Sequence, residues 1–260
     1  MNDAKTLFKE TIEKKEFLKI KLLGDSITHG VGGTGWAMEG ESIVEDFKRS
    51  PDSFCWAKLF KDYMKEKYGA EVTNNGCTGT TIQFILEHFE TLVSDTDDLV
   101  ICTIGTNNRH RGKDLGDAPS REEWGKVFYD AVLQLNEKFE EKKIPVIFVA
   151  NLPAAQSNEV DGETYYRILH MDDINAIYKR AREKAGFALI SMYDLVTDYV
   201  NEKGILVDAL LCDGLHPSDE GYKVMFSLLC EALGADGVSC VGKKIVLYRA
   251  AKKPKIELPK

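Results

Sequence analysis

The sequence predicts an α/β fold, a three-layer αβα sandwich built on a parallel sheet of about five strands. Short apolar runs recur along the chain with segments of helical period between them. The runs are apolar throughout rather than alternating, as in strands covered on both faces. Such alternation of strand and helix implies right-handed βαβ crossovers and a doubly wound sheet.

The chain opens on MNDAKTLFKETIEKKEF, which is charged throughout and lacks the apolar core of a signal peptide. Phe17–Leu23 reads as the first strand, Glu71–Asn74 as a shorter second one, and Asp98–Ile104, Ile144–Ala150 and Phe187–Met192 as the rest. Helical periods run over Phe54–Tyr68, Thr81–Val93, Glu122–Glu141, Tyr165–Lys184 and Glu220–Leu233. In Glu122–Glu141, Trp124, Val127, Phe128, Ala131, Leu135 and Phe139 share one face, which suits core packing better than a ligand cage. Two stretches break the rhythm. Gly30–Pro51 is a Gly-rich and then acidic insert, and the tail from Val241 is rich in Lys and Arg, with one extra strand expected at Lys244–Tyr248. No composition break marks a second domain, so residues 1–260 read as one domain, with a core over about 18–233 and 234–260 as a C-terminal extension.

With 43% hydrophobic and 29% charged residues the chain can bury a full globular core. Its net charge of −8 argues against nucleic acid or an anionic membrane as partner. No stretch approaches the roughly 18 unbroken apolar residues of a spanning helix, and the expected location is cytoplasmic. The six cysteines (Cys55, Cys77, Cys102, Cys212, Cys230, Cys240) contain no C-x-x-C pair. They read as free, mostly buried thiols, neither a disulfide framework nor zinc ligands. No metal and no cofactor is expected.

Gly30-Val31-Gly32-Gly33-Thr34-Gly35 matches G-x-G-x-x-G, the dinucleotide fingerprint. That motif belongs at a strand's end, opening a helix whose N–H groups meet pyrophosphate. Here it starts six residues past the strand and WAMEGESIVEDFKRSP after it is not a helix pattern. These glycines read instead as a bending loop beside a site.

Serine hydrolysis needs a nucleophilic hydroxyl, a histidine to take its proton, a carboxylate to orient that histidine, and N–H donors for the oxyanion. Candidates stand at successive strand ends: Ser26 after the first, Gly76 after the second, Asn107 after the third, and Asp213 with His216 before the last helix. Gly76 would let its N–H approach a substrate oxygen, and the Asn107 amide can donate without carrying charge. Asp213 and His216 stand three apart on a turn, so the carboxylate can reach Nδ1 and leave Nε2 for Ser26. Each has a plainer reading alone. Ser26 or Asp25 could cap a helix, Gly76 could serve a turn, Asn107-Asn108 could be a turn pair, and Asp213 could cap beside a surface histidine. Four in this order at the ends of successive βα units point to chemistry. His29 is left as a residue that could line the cleft, and His88, His110 and His170 as filler.

The blocks Gly24-Asp25-Ser26, Asn74-Asn75-Gly76, Gly105-Thr106-Asn107 and Asp213-Gly214-Leu215-His216-Pro217 resemble those of the SGNH (GDSL-type) hydrolase family. The resemblance spans Leu18 to Leu233. It implies a flavodoxin-like three-layer fold and a metal-free serine esterase with Ser26 as nucleophile, His216 as base and Asp213 as its orienter. The implied oxyanion donors are the Ser26 and Gly76 N–H groups and the Asn107 side chain. The third block usually reads G-x-N-D; Asn108 stands here for the Asp, which questions how that loop is braced. The expected substrate is a small acyl ester, first an acetylated sugar. A lysophospholipase or thioesterase acting on lipid acyl groups, and a non-catalytic ligand-binding module on the same fold, are the alternatives.

Overall fold

The computed structural model describes residues 3–37, 42–44, 47–48, 53–109, 118–160, 163–235, 238–241, 244–248 and 255–257. Its middle layer holds β1 (Lys19–Gly24), which lies beside a strand reached only after a hairpin of β2 (Ser42–Val44) and β3 (Phe47–Lys48), namely β4 (Glu71–Gly76). On the other side of β1 stand β5 (Leu99–Thr103) and β6 (Val146–Ala150). A second hairpin, β7 (Ser157–Val160) and β8 (Glu163–Tyr166), precedes the last sheet strand, β9 (Ala188–Ser191). The order is β4-β1-β5-β6-β9 and every pairing is parallel. The expected five-stranded parallel sheet is therefore what this chain forms.

The pleat divides the apolar runs between two cores. Ile20 and Leu22 of β1, Leu99 and Ile101 of β5, and Ile147 and Val149 of β6 face one side. Leu23, Val100, Cys102, Val146, Phe148 and Ala150 face the other. All five residues of β5 are buried, which is why the run does not alternate. The first face is covered by α1 (Ala4–Lys14), α3 (Trp56–Tyr68), α8 (Met192–Lys203) and α9 (Asp219–Ala232). The second is covered by α4 (Ile82–Glu87), α5 (Phe89–Leu92), α6 (Arg121–Lys142) and α7 (Met171–Ala185). The remaining helix, α2 (Ser26–His29), is a single turn at the end of β1.

The differences from the sequence expectation have local causes. Helix α1 was not expected, yet Asp3 caps it and Ala4 and Phe8 enter the first core. Helix α8 was also missed: it starts at once from β9, capped by Ser191, and buries Met192, Val196 and Val200 at four-residue spacing. Thr81–Val93 is interrupted at His88, whose backbone leaves the helical region. Tyr165 and Tyr166 belong to β8, and α7 begins only after His170. Lys244–Tyr248 is a strand as expected; it is β11, between β10 (Val238–Val241) and β12 (Lys255–Glu257) in an antiparallel sheet of its own. Among the described residues no helix is long and apolar enough to cross a membrane. Because the chain passes from β4 back across β1 to β5, the order in which strands are added reverses between β1 and β5. Ligands bind at the carboxyl ends of strands flanking such a reversal. Ser26 follows β1 and Asn107 follows β5.

Candidate active site

Ser26 is raised at the sheet edge by the residues before it. Gly24 ends β1 between Gly76 and Thr103 of the neighbouring strands, and a Cβ there would lie 2.6 Å from the Thr103 carbonyl oxygen. The Asp25 side chain caps α2, accepting the Ile27 N–H at 3.0 Å. Gly30 closes the turn at φ +105°, a conformation that favours glycine. Ser26 keeps 6% of its surface exposed.

His216 arrives from a loop stapled on itself. Cys212 N–H donates to the His216 carbonyl (2.9 Å) and Ser218 N–H to the Leu210 carbonyl (2.9 Å). Asp213 Oδ1 accepts the N–H groups of Leu215 (2.9 Å) and His216 (2.7 Å). Its Oδ2 lies 2.7 Å from His216 Nδ1, and His216 Nε2 lies 2.9 Å from Ser26 Oγ. An ionised carboxylate can only accept, so Nδ1 carries the proton and Nε2 is free to take one from Ser26. Partial burial raises the pKa of Asp213, but hydrogen bonds from the His216 ring and backbone, the imidazole charge and the Leu215 N–H hold it at about 2.

Beneath Ser26 lies a buried polar knot that the sequence reading did not identify. Asp25 is fully buried, and burial lifts its carboxyl to about 6, against the Ile27 N–H, the Thr106 side chain, His216 and the Thr106 backbone. Asn151 Nδ2 donates to Asp25 Oδ2 (3.1 Å) and to Thr106 Oγ1 (2.8 Å), joining the ends of β1, β5 and β6. Arg109, also fully buried, donates to the carbonyls of Thr106 (3.0 Å) and Ala155 (2.8 Å). Burial lowers it to about 10. The available signal was position: Asn151 stands directly after the Val146–Ala150 run, at the same sheet edge as Ser26 and Asn107.

The oxyanion candidates divide. Asn107 donates to the Thr80 carbonyl at 2.9 Å, which uses one of its two amide protons. Gly76 departs from its expected part. Its N–H is already given to Asn74 Oδ1 at 2.8 Å, and a Cβ there would lie 2.6 Å from the His29 backbone nitrogen. Asn74 Nδ2 in turn holds the Thr28 carbonyl (2.8 Å). Gly76 thus holds Asn74, which ties β4 to α2. Three residues on, Gly79 is exposed at φ +76°, in the same loop as Thr80. Its N–H, like that of Ser26, takes no hydrogen bond among the described residues. Asn108 answers the question raised by its substitution: Oδ1 accepts the Ile82 N–H (3.0 Å), Nδ2 donates to Gln83 Oε1 (2.7 Å), and its carbonyl accepts Trp124 Nε1–H (2.7 Å). The loop is braced through an amide.

The other candidates lie apart. Gly30, Gly32 and Gly35 take positive φ in an irregular turn that opens no helix. His88 packs its ring at a tilt against Phe84, and His110 lies outside the described residues. His170, Asp172 and Asp173 group at the start of α7, where Asp173 is held by Arg121 (2.9 and 2.6 Å). Cys55, Cys77, Cys102, Cys212 and Cys230 are free thiols.

Comparison with known proteins extends this picture. No curated protein matches the chain. Solved structures do. One is a catalytic mutant of an acetylxylan esterase from Geobacillus stearothermophilus, with TM-score 0.61 and 18% identity over 84% of this chain and 95% of that one. An α/β hydrolase from the metagenome of Lake Arreo, Spain, gives TM-score 0.60 and 18% identity over 84% and 95%. A two-domain esterase active on acetylated mannans gives 0.59 and 20% identity over 88% of this chain and 52% of its own. At these identities the likeness is one of fold. The model of the GDSL-like lipase/acylhydrolase family, however, matches residues 22–224, from β1 into α9. The chain belongs to the GDSL-like lipase/acylhydrolase family, and with it to the carboxylic ester hydrolases.

Proposed function

We propose that the chain hydrolyses small acyl esters, acetyl groups on carbohydrate foremost, through an acyl-enzyme on Ser26. The reading rests on one observation: His216 is 2.9 Å from Ser26 Oγ by Nε2 and 2.7 Å from Asp213 by Nδ1. Ser26 Oγ attacks the ester carbonyl as Nε2 takes its proton. The tetrahedral oxygen is met by the N–H groups of Ser26 and Gly79 and by the spare amide proton of Asn107. Gly79 takes the donor's part first expected of Gly76, because its N–H is uncommitted. His216 then gives its proton to the leaving alcohol. Water, activated by the same nitrogen, adds to the acyl carbonyl and releases the carboxylic acid and Ser26. Asp213 stays ionised and fixes the tautomer.

Two likenesses support the substrate class. Catalytic mutants of the Geobacillus acetylxylan esterase replace a serine, an aspartate and a histidine, the last two three positions apart, as Asp213 and His216 are here. The mannan-active esterase shares the fold. Ser26→Ala should abolish p-nitrophenyl acetate turnover and fluorophosphonate labelling while the protein stays folded; turnover at the wild-type rate overturns the reading. A series from acetyl to palmitoyl esters should show preference for the short end, and a palmitoyl preference would move the assignment to lipid acyl groups.

A further inference from the structure

His29 sits three residues beyond Ser26 on α2, is 2% exposed, and has no part in the steps above. Both its ring nitrogens are engaged. Trp36 Nε1–H, which can only donate, lies 2.9 Å from His29 Nδ1. That nitrogen must therefore accept, and the ring's proton sits on Nε2, 2.7 Å from the Lys48 carbonyl. His29 is held as one neutral tautomer between two points of the segment that follows Gly30. Burial lowers its pKa, opposed in part by the hydrogen bond to the Lys48 carbonyl.

The turn so held reaches the base. Gly33 N–H bonds the Gly30 carbonyl and Trp36 N–H the Gly33 carbonyl, both at 3.1 Å, so Trp36 is tied into the turn. On its far side Thr34 donates by N–H (2.8 Å) and by hydroxyl (2.7 Å) to the Asp219 carboxylate. Tyr222 hydroxyl donates to the Val31 carbonyl at 2.7 Å. Gly32 is packed so closely that a Cβ would lie 2.6 Å from the Pro217 carbonyl oxygen and 3.2 Å from His216 Cβ. The turn is a wedge with one side on the nucleophile's helix and the other on the histidine's loop.

We infer that His29 is a positioning residue: by clasping Trp36 it seats the Gly30–Trp36 turn against His216 and Pro217, and thereby sets His216 on Ser26. This rests on the triad reading and adds a residue that touches neither substrate nor reacting atoms. Misalignment of base and nucleophile should slow the chemical step and leave substrate binding alone.

The test is Trp36→Phe, which keeps an aromatic ring and deletes the N–H. With p-nitrophenyl acetate, kcat should fall about tenfold with KM within about twofold. Fluorophosphonate labelling of Ser26 should slow in parallel. The far-downfield proton resonance of His216 Nδ1–H should shift, which a purely structural role would leave in place. His29→Gln, keeping an acceptor and a donor, should recover most of the rate that His29→Leu loses. Wild-type kcat with an unmoved resonance in folded Trp36→Phe, equal rates for the two His29 variants, or loss of folding in all three overturns the inference. Turnover surviving in Ser26→Ala instead overturns the triad reading, whatever Trp36→Phe does.

Discussion

His216 Nε2 lies 2.9 Å from Ser26 Oγ across 190 positions of chain, while its Nδ1 lies 2.7 Å from Asp213, three positions away. The two contacts have different origins. The short one is local, made by a turn in which Gly214 takes φ +78° and Asp213 caps the N–H groups of Leu215 and His216. The long one exists because β1 lies inside the sheet, between β4 and β5, and α9 packs beneath the loop that carries His216.

Asp213→Asn tests the local contact. The amide is isosteric but can donate to Nδ1, which favours the wrong tautomer. A loss of about a thousand- to ten-thousandfold in kcat is expected, with the circular dichroism spectrum unchanged. Because Asp213 is held at about 2, its ionised form is present above the ordinary carboxylate range and is lost only as pH falls through about 2. A pH–rate profile should therefore show no step from Asp213 between about pH 4 and pH 8.

Asp25 has the opposite sign. Its pKa is raised from 3.8 to about 6, so the folded state binds its proton more tightly than the unfolded chain does. That contribution is complete below 3.8 and is lost as pH rises through about 6. Asp25→Asn removes the titration at modest structural cost. Asn151 Oδ1, which has no partner among the described residues, can turn toward the new amide. The stability difference between wild type and variant should change by about 2–3 kcal/mol across this window, read from urea midpoints at several pH values. A flat difference would mean that Asp25 is ionised throughout.

The two glycines of the second block separate packing from catalysis. Gly76→Ala would push a Cβ to 2.6 Å from the His29 nitrogen and 2.7 Å from the Thr28 carbonyl carbon, so destabilisation of about 3 kcal/mol is expected. Gly79→Ala meets nothing within 4 Å and has only the strain of φ +76°, about 1 kcal/mol. Its kcat should nonetheless fall about tenfold, as the altered backbone turns the proposed oxyanion donor. The reverse pattern, an active Gly79→Ala and a stable but inactive Gly76→Ala, would return the donor's role to Gly76.

That pair also shows where sequence reading stops. The sheet was legible because parallel strands buried on two faces leave unbroken apolar runs, and Asp213 and His216 were legible because their contact is local. TNNGCTGTT holds two glycines, and what separates them is structural: the hydrogen bond from Gly76 to Asn74 and the crowding around Gly76 that Gly79 lacks. Asn151 meets Asp25 and Thr106 through strand order, which no spacing encodes. Helices α1 and α8 were missed because one is nearly half charged and the other follows its strand without a loop. The His29–Trp36 contact is seven residues apart, but reading it requires knowing that α2 ends after one turn.

Asn108 is the departure from the family pattern most open to test. Its Oδ1 takes the N–H of Ile82, the first residue of α4, and its Nδ2 donates to Gln83. A carboxylate would keep the first bond, and the Gln83 amide, by rotating, would present its NH2 for the second. Asn108→Asp should therefore leave the melting temperature and kcat close to wild type. Asn108→Ala removes both bonds and leaves the buried Ile82 N–H without its partner, so a loss of about 1–3 kcal/mol is expected. Because the neighbouring Asn107 amide holds the Thr80 carbonyl next to Gly79, the same variant should lower kcat more than it raises KM. Thermal melts and p-nitrophenyl acetate kinetics on the two variants decide between a brace that needs an acceptor at Oδ1 and one that needs the amide. A defect in Asn108→Asp equal to that of Asn108→Ala would show that the donated bond to Gln83 is the one that holds the loop.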